Sequence, residues 1–205
     1  MNFIFFLKGF LIGFLMAAPV GPIGILCIRR TLTEGRMVGL VSGLGIATAD
    51  AIYGCITGLG LTFISNFLIR QQIVLQVIGG SFLCYLGLRI LLARHVEMAI
   101  TKKRTQLVGS FTSTFFLTLT HPMTIFIFLA IFSSLGMAET PGYLPIMTLV
   151  LGIFIGSTLW WVILTTAISL LRASFSAQGV LWVNRISGVL ITGFGIAILL
   201  DFFLR

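Results

Sequence analysis

Residues 37–66 read MVGLVSGLGIATADAIYGCITGLGLTFISN, and Asp50 is the one charged residue in this stretch. A run of this length and apolar character is long enough to cross the hydrocarbon core of a bilayer as a helix. A carboxylate at that depth costs about 2.5–3.5 kcal/mol on insertion scales, so an acid kept there marks a functional site by default. We therefore predict a membrane helix with Asp50 in a transport pathway.

The composition of the whole chain predicts an integral membrane protein. Of its 205 residues, 58% are hydrophobic and 9% are charged, and the mean hydropathy is +1.15. An average domain is about one quarter charged, so a soluble domain of this length would leave too much apolar surface in water. We expect one transmembrane domain over residues 1–205, with the lipid bilayer as its main partner and no cofactor.

Six apolar runs predict six spans, at residues 3–27, 37–64, 72–93, 108–135, 143–170 and 180–203. Ten of the 13 basic residues lie in or beside the first, third and fifth connections, the third being a basic loop over about 94–106. The positive-inside rule makes these connections cytoplasmic and places both termini outside. The formal charge of +8 is thereby interpreted as topology signals that meet anionic headgroups, and no nucleic-acid partner is expected.

An internal repeat is visible in the two halves of the chain, about 1–96 and 107–205. Residues 78–92, IGGSFLCYLGLRILL, align without gaps on residues 186–200, ISGVLITGFGIAILL. The glycines matched by this alignment are Gly80 with Gly188 and Gly87 with Gly195. With three spans in each half, the second half would be inserted upside down. We thus predict an all-α fold of six helices in a 3+3 inverted repeat, the arrangement of many secondary transporters.

The first and fourth spans are predicted to be broken. The sequence AAPVGPIG at residues 17–24 and TLTHP at residues 118–122 place proline inside apolar runs. Proline removes a backbone donor, and the freed polar groups must be buried in protein or line a wet cavity. The half-helix after Pro22 would direct free N–H groups at such a cavity, which suits a carboxylate. A packing kink is the alternative.

Several of these segments together resemble the LysE-type amino-acid exporter family, part of the lysine exporter and homoserine-threonine exporter superfamily. They are PVGP at 19–22, RRTLTEGR at 29–36, residues 39–53 with Asp50, and Pro122. The resemblance covers essentially the whole chain. It implies an exporter of amino acids or close derivatives in the bacterial inner membrane, driven by proton antiport and assembled as a homodimer. The family usually has Asn where this chain has His121.

The candidate site residues come from the two breaks, from the acid and from one aromatic pair. The predicted substrate-binding residues are Pro19, Gly21, Pro22, Gly24, Asp50, Tyr53, Thr120, His121, Pro122 and Trp160. Asp50 and His121 are also the predicted proton-coupling groups, because both can titrate when their surroundings favour it.

Each of these assignments has a structural alternative. Asp50 can instead make a structural hydrogen bond to Tyr53 or to a backbone carbonyl. His121 can be a satisfied donor to a carbonyl, and threonines at the second break can bond back to their own helix. Trp160 and Trp161 can stack on substrate or simply need a polar partner for the indole N–H.

Other functions fit the sequence less well. A divalent-metal exporter needs several ligands, and Asp50 and His121 are too few; no metal site is predicted. An intramembrane enzyme would need a nucleophile motif or paired acids, and neither is present. A passive channel subunit gives no reason for a buried acid between two broken helices. The identity of the exported amino acid stays open, although the scarcity of acids favours neutral substrates.

Overall fold

The computed structural model describes residues 2–18, 21–60, 67, 70–92, 104–134, 143–172 and 177–204. Eight helices lie within these ranges, and no strand does. They are α1 (Asn2–Ala17), α2 (Pro22–Glu34), α3 (Arg36–Gly58), α4 (Gln72–Leu91), α5 (Arg104–Leu119), α6 (Pro122–Ser134), α7 (Tyr143–Arg172) and α8 (Ala177–Leu204).

The predicted apolar runs coincide with these helices. In the described ranges, α3, α4, α7 and α8 are long and apolar enough to cross a membrane. Helices α1 and α2, bent by 79° at the break between them, would make a fifth span if they are taken together. Helices α5 and α6 have 16 and 13 residues. The protein is therefore an all-helical, multi-pass membrane protein, and the count of six spans stays a prediction.

One boundary prediction is wrong. The predicted spans at residues 3–27 and 37–64 put Arg29 and Arg30 in the first connection. In the structure α2 continues to Glu34 and contains both. The positions of the basic residues predicted that Arg30 faces lipid headgroups. Its side chain is only 8% exposed, so it does not. Gly35 caps the end of α2 with a φ of +101°, a conformation that glycine adopts at little cost. The Gly35 N–H donates to the Arg30 carbonyl at 3.1 Å, and α3 follows directly.

Two helix pairs pack closely because glycines line their contacts. Gly9 and Gly13 of α1 lie against the backbone of Leu149 and Ile153 in α7. Between α4 and α8 the glycines meet in two pairs. A Cβ added to Gly80 would lie 3.2 Å from the Gly195 carbonyl oxygen, and one added to Gly188 would lie 3.1 Å from the Gly87 carbonyl oxygen. Small residues at such contacts allow membrane helices to approach backbone to backbone.

Helix α3 lies at the centre of the bundle and contacts α2, α5, α6 and α7. One core cluster joins Tyr53 and Ile56 of α3 to Phe128 and Phe132 of α6 and to residues of α7. A hydrogen bond of 2.8 Å from the Thr114 hydroxyl to the Ser42 carbonyl joins α5 to α3. This central position is what buries the middle of α3, where Asp50 lies.

The close approach of α4 and α8 gives a test on one helix. Alanine at Gly195 would place a Cβ 2.7 Å from the Cys84 sulfur and 2.8 Å from the Gly80 carbonyl. Overpacking of this kind typically costs about 1–3 kcal/mol. We expect Gly195→Ala to lower the free energy of unfolding by that amount, measured by denaturation in mixed detergent micelles.

The matched control is Gly193→Ala on the same helix, where an added Cβ meets no heavy atom within 4 Å. Both variants change helix propensity equally, so their difference reports packing alone. Equal stabilities for the two variants would contradict the close contact between α4 and α8.

Candidate functional site

Asp50 lies in the middle of α3 and faces α7. Its side chain is 7% exposed, and the Ser157 hydroxyl donates a hydrogen bond of 2.9 Å to its Oδ2 atom. Ser157 itself is completely buried. In the part of the chain that the structure describes, no ion pair is formed by Asp50. A buried acid that is bonded to a neutral hydroxyl is free to exist with or without its proton, because no fixed cation holds it in the ionised form.

Ser157 was missed by sequence reasoning, although one signal pointed to it. Residues 78–92 align on residues 186–200, an offset of 108. The same offset applied to Asp50 gives position 158, one residue from Ser157. Under the predicted repeat, position 158 would be the counterpart of Asp50. That prediction would have drawn attention to the polar residues at positions 157 and 158.

The first break lies between Ala17 and Pro22. Gly21 precedes α2 in an extended conformation, and no side chain caps the helix. A Cβ built on Gly21 meets no heavy atom within 4 Å, while Pro22 and Gly24 are buried in the start of the helix. The first N–H groups of α2 thus lack a side-chain acceptor, as a site for an anion requires. Pro19 lies outside the described residues.

Two tryptophans of α7 lie next to this break. Trp161 is 5% exposed and packs in a cluster with Ala17 at the end of α1 and Cys27 in α2; Trp160 is packed against the same cluster. The Trp160 ring also meets the Phe14 ring edge to face, with 5.3 Å between centroids. The indole Nε1 atoms of both tryptophans are buried and have no hydrogen-bond partner. A buried donor without an acceptor is costly, and a polar ligand would satisfy it.

The second break lies between Leu119 and Pro122. The Tyr53 hydroxyl donates a 2.6 Å hydrogen bond to the Leu119 carbonyl at the end of α5. Tyr53 follows Asp50 by three residues on α3, so one face of that helix carries both the acid and the contact to this break. The predicted alternative of a hydrogen bond between Asp50 and Tyr53 is not what the structure has.

The other residues of the second break face a different part of the bundle. Thr120 and His121 line a small cavity together with Gly79 and Gly80 of α4. The Thr120 hydroxyl bonds back to the Phe116 carbonyl at 2.9 Å. Among the described contacts none joins these two residues to Asp50. The structure therefore places Asp50 and Tyr53 on one face of α3 and Trp160 beside the first break, and it leaves Thr120 and His121 against α4.

Comparisons with known proteins identify a family of membrane transporters. The model of the LysE type translocator family matches residues 14–201. An uncharacterized membrane protein of Escherichia coli (strain K12) is 28% identical over 70% of this chain and 65% of its own length. A protein named "Putative amino acid efflux protein" in Bacillus subtilis (strain 168) is 26% identical over 93% of this chain and 92% of its own. The threonine efflux protein of Salmonella typhi is 23% identical over 88% and 90%.

No solved structure matches this chain. A family match over this much of the sequence identifies the class of protein: a membrane transporter, not an enzyme. The chain belongs to the LysE type translocator family.

The unpartnered indoles give a test of the site. Replacing the indole of Trp160 or Trp161 by benzothiophene, through incorporation of β-(3-benzothienyl)alanine, removes the N–H and keeps the shape. We expect the unliganded protein to be at least as stable as the parent, because a buried donor without a partner is removed. Substrate affinity should fall about tenfold, the value of one hydrogen bond of about 1.4 kcal/mol.

The matched control is the same replacement at Trp182, which is 58% exposed on α8. It should change neither the midpoint of thermal unfolding nor the affinity. Unchanged affinity in the Trp160 and Trp161 variants would exclude the indoles from the binding site.

Proposed function

We propose that this protein is a secondary active transporter that exports amino acids or close derivatives from the cytoplasm by proton antiport. The observation that carries the proposal is the buried Asp50, which lies between α3 and α7 with a neutral hydroxyl as its partner. The first break and two indole donors without partners lie on α2 and α7, which both contact α3. A transported zwitterion needs a polar chamber inside the apolar bundle, and the proposal places that chamber here.

The proposal includes six spans in a 3+3 inverted repeat. The glycine contacts between α4 and α8 support it, because they are reciprocal. Gly80 meets Gly195 and Gly87 meets Gly188, while the repeat matches Gly80 to Gly188 and Gly87 to Gly195. Exchange of the two halves therefore converts one contact into the other. The packing of α1 on α7 likewise has a counterpart in the packing of α5 on α3.

The proposed membrane is the bacterial inner membrane, with both termini outside. This orientation follows from the basic residues of the odd connections and places the end of α2 that contains Glu34 at the cytoplasm. The start of α2 at Pro22 then lies deeper in the bundle. The proposed homodimer rests on the family resemblance alone.

The proposed binding mode assigns one group of the zwitterion to each part of the chamber. The substrate carboxylate meets the N–H groups at the start of α2, around Gly21 and Gly24, where the helix dipole favours a negative charge. The substrate amine is attracted by ionised Asp50. Trp160 and Trp161 pack beside the first break, and in this mode they supply indole N–H donors to the carboxylate or to a polar side chain.

Proton coupling follows from the chemistry of Asp50. The ionised acid attracts the ammonium group of a substrate that has come from the cytoplasm. A proton that arrives from outside neutralises the acid, and the attraction to the amine is lost. The substrate is then released outward, and the proton leaves Asp50 toward the cytoplasm when the chamber opens there. Ser157 can donate to the carboxylate or accept from the carboxylic acid, so it serves both states.

Replacement of Asp50 by Asn tests this mechanism. Asn keeps the shape and can still bond to Ser157, but it can neither bind an ammonium ion by charge nor carry a proton. In proteoliposomes loaded with a panel of amino acids, we expect the parent to export at least one neutral amino acid at a rate that rises with an inward proton gradient. Asp50→Asn should lose the dependence on the gradient and most of the transport.

The control is Asp201→Asn, which changes the only other aspartate of the chain, near the end of α8. This variant should export at the parental rate. Full gradient-driven efflux by Asp50→Asn would exclude Asp50 from coupling. Efflux of divalent cations, with none of any amino acid, would instead support the metal-exporter alternative. In the described residues, no three His, Cys, Asp or Glu side chains are grouped so that they could hold a metal ion.

A further inference from the structure

A second polar region lies at the other end of α2. A cavity of about 500 Å³ opens between α2, α4 and α5, within the size range of about 300–1,000 Å³ typical of small-molecule sites. Its polar lining includes Arg29, Arg30 and Glu34 of α2, Arg89 of α4 and Gln106 of α5. Apolar side chains such as Leu26 and Phe82 complete the wall.

The charges of this cavity are unbalanced. Of its described lining residues, three carry a guanidinium group and one carries a carboxylate. That carboxylate, on Glu34, is already engaged: it lies 3.5 Å from Arg29 and accepts a hydrogen bond of 3.0 Å from Gln106. Arg30 and Arg89 form no ion pair among the described residues. Glu34 attracts both Arg29 and Arg30, so the lining carries two more positive than negative charges.

Arg30 is the more informative of the two because it is buried. Its guanidinium donates to the Ser42 hydroxyl at 3.1 Å, to the Ser110 carbonyl at 3.0 Å and to the Ser113 hydroxyl at 2.8 Å. All three acceptors are neutral. A buried cation held by neutral groups alone retains a large desolvation cost, which a bound anion would offset. The same three bonds fix the guanidinium plane, so the group is oriented before any ligand arrives.

We infer that this cavity is a cytoplasmic loading site, in which Arg30 and Arg89 bind the carboxylate of the amino acid before it moves to the chamber at Asp50. The inference rests on the proposed function. Arg30 follows Pro22 by eight residues, about 12 Å along a helix. The two ends of α2 thus offer successive positions for one carboxylate, the guanidinium groups at the cytoplasmic end and the N–H groups at the break. The apolar wall accommodates the substrate side chain.

The phosphate of an anionic lipid has the same charge chemistry, so the experiment must separate the two ligands. Gly109 lines the cavity, and an added Cβ there meets no heavy atom within 4 Å. We propose a Gly109→Cys reporter in a chain whose native Cys27, Cys55 and Cys84 are replaced by alanine. The reporter would be labelled in phosphatidylcholine proteoliposomes with an anionic and with a cationic methanethiosulfonate reagent.

When each rate is divided by the same reagent's rate with a free thiol in solution, the anionic reagent should react about tenfold faster than the cationic one, because the cavity lining carries two more positive than negative charges. L-Threonine serves as the probe because it is a neutral amino acid with a free carboxylate. It should slow the labelling, and L-threoninamide, which lacks the carboxylate, should not. Equal rates for both reagents, or equal protection by both compounds, would overturn the inference. So would protection by added phosphatidylglycerol with none by threonine, since that result assigns the cavity to lipid.

Substitution of the arginines supplies the second arm. Arg30→Gln and Arg89→Gln should each abolish protection by threonine and raise the KM for transport from the cytoplasmic side about tenfold, as expected for one lost charge-assisted hydrogen bond. Arg36→Gln is the control, because it removes an exposed charge at the same end of the bundle without lining the cavity. If Arg30→Gln does not fold, the exposed Arg89 carries the test.

The outcomes also separate this inference from the proposed function. Efflux that depends on Asp50 together with parental KM and protection in both arginine variants would reject the loading site and leave the exporter intact. Protection of the reporter by threonine without any amino-acid efflux would reject the exporter and retain a carboxylate site.

Discussion

The need to satisfy a carboxylate away from water organises this structure. Asp50 is placed inside the bundle by α3, and the Ser157 hydroxyl meets it from α7. That contact requires α3 and α7 to lie side by side, and their packing in turn positions Tyr53 against the end of α5 and Trp161 against the end of α1. Each of the two helices joined by this pair thus contacts one helix break. Removing either partner would leave a buried polar group unpaired, so the arrangement is mutually dependent.

The sequence predicted those features that depend on one segment at a time. Apolar runs located the helices, because a span must be apolar over about 20 residues whatever it packs against. Proline located the breaks, since α1 and α2, and likewise α5 and α6, are separated at PVGP and at THP. Asp50 was identified because a lone carboxylate in hydrocarbon costs free energy whichever helices surround it.

The sequence did not predict the features that depend on residues of another helix. Ser157 looked like an ordinary small residue of a membrane helix, and nothing local marks it as the donor to Asp50. Arg30 was interpreted as a topology signal because it follows an apolar run, yet Ser42, Ser110 and Ser113 of other helices surround it. Hydropathy does not distinguish an arginine at a lipid headgroup from an arginine inside a polar cavity, because both can follow the same apolar run.

The position of α2 shows how Arg30 would take part in the proposed transport. This helix starts at the break beside Trp161 and ends at the cavity with Arg30, and its axis turns 79° from that of α1. Its dipole is positive at the start, where the Gly21 backbone is uncapped, and negative near Glu34, where Arg29 lies. An anion bound at Arg30 would gain little free energy by moving to the start of α2 if no donors there replaced the guanidinium. In the proposed pathway, N–H and indole donors at the start of α2 would replace the guanidinium donors at its end, and two sites of similar affinity would allow a substrate to pass between them.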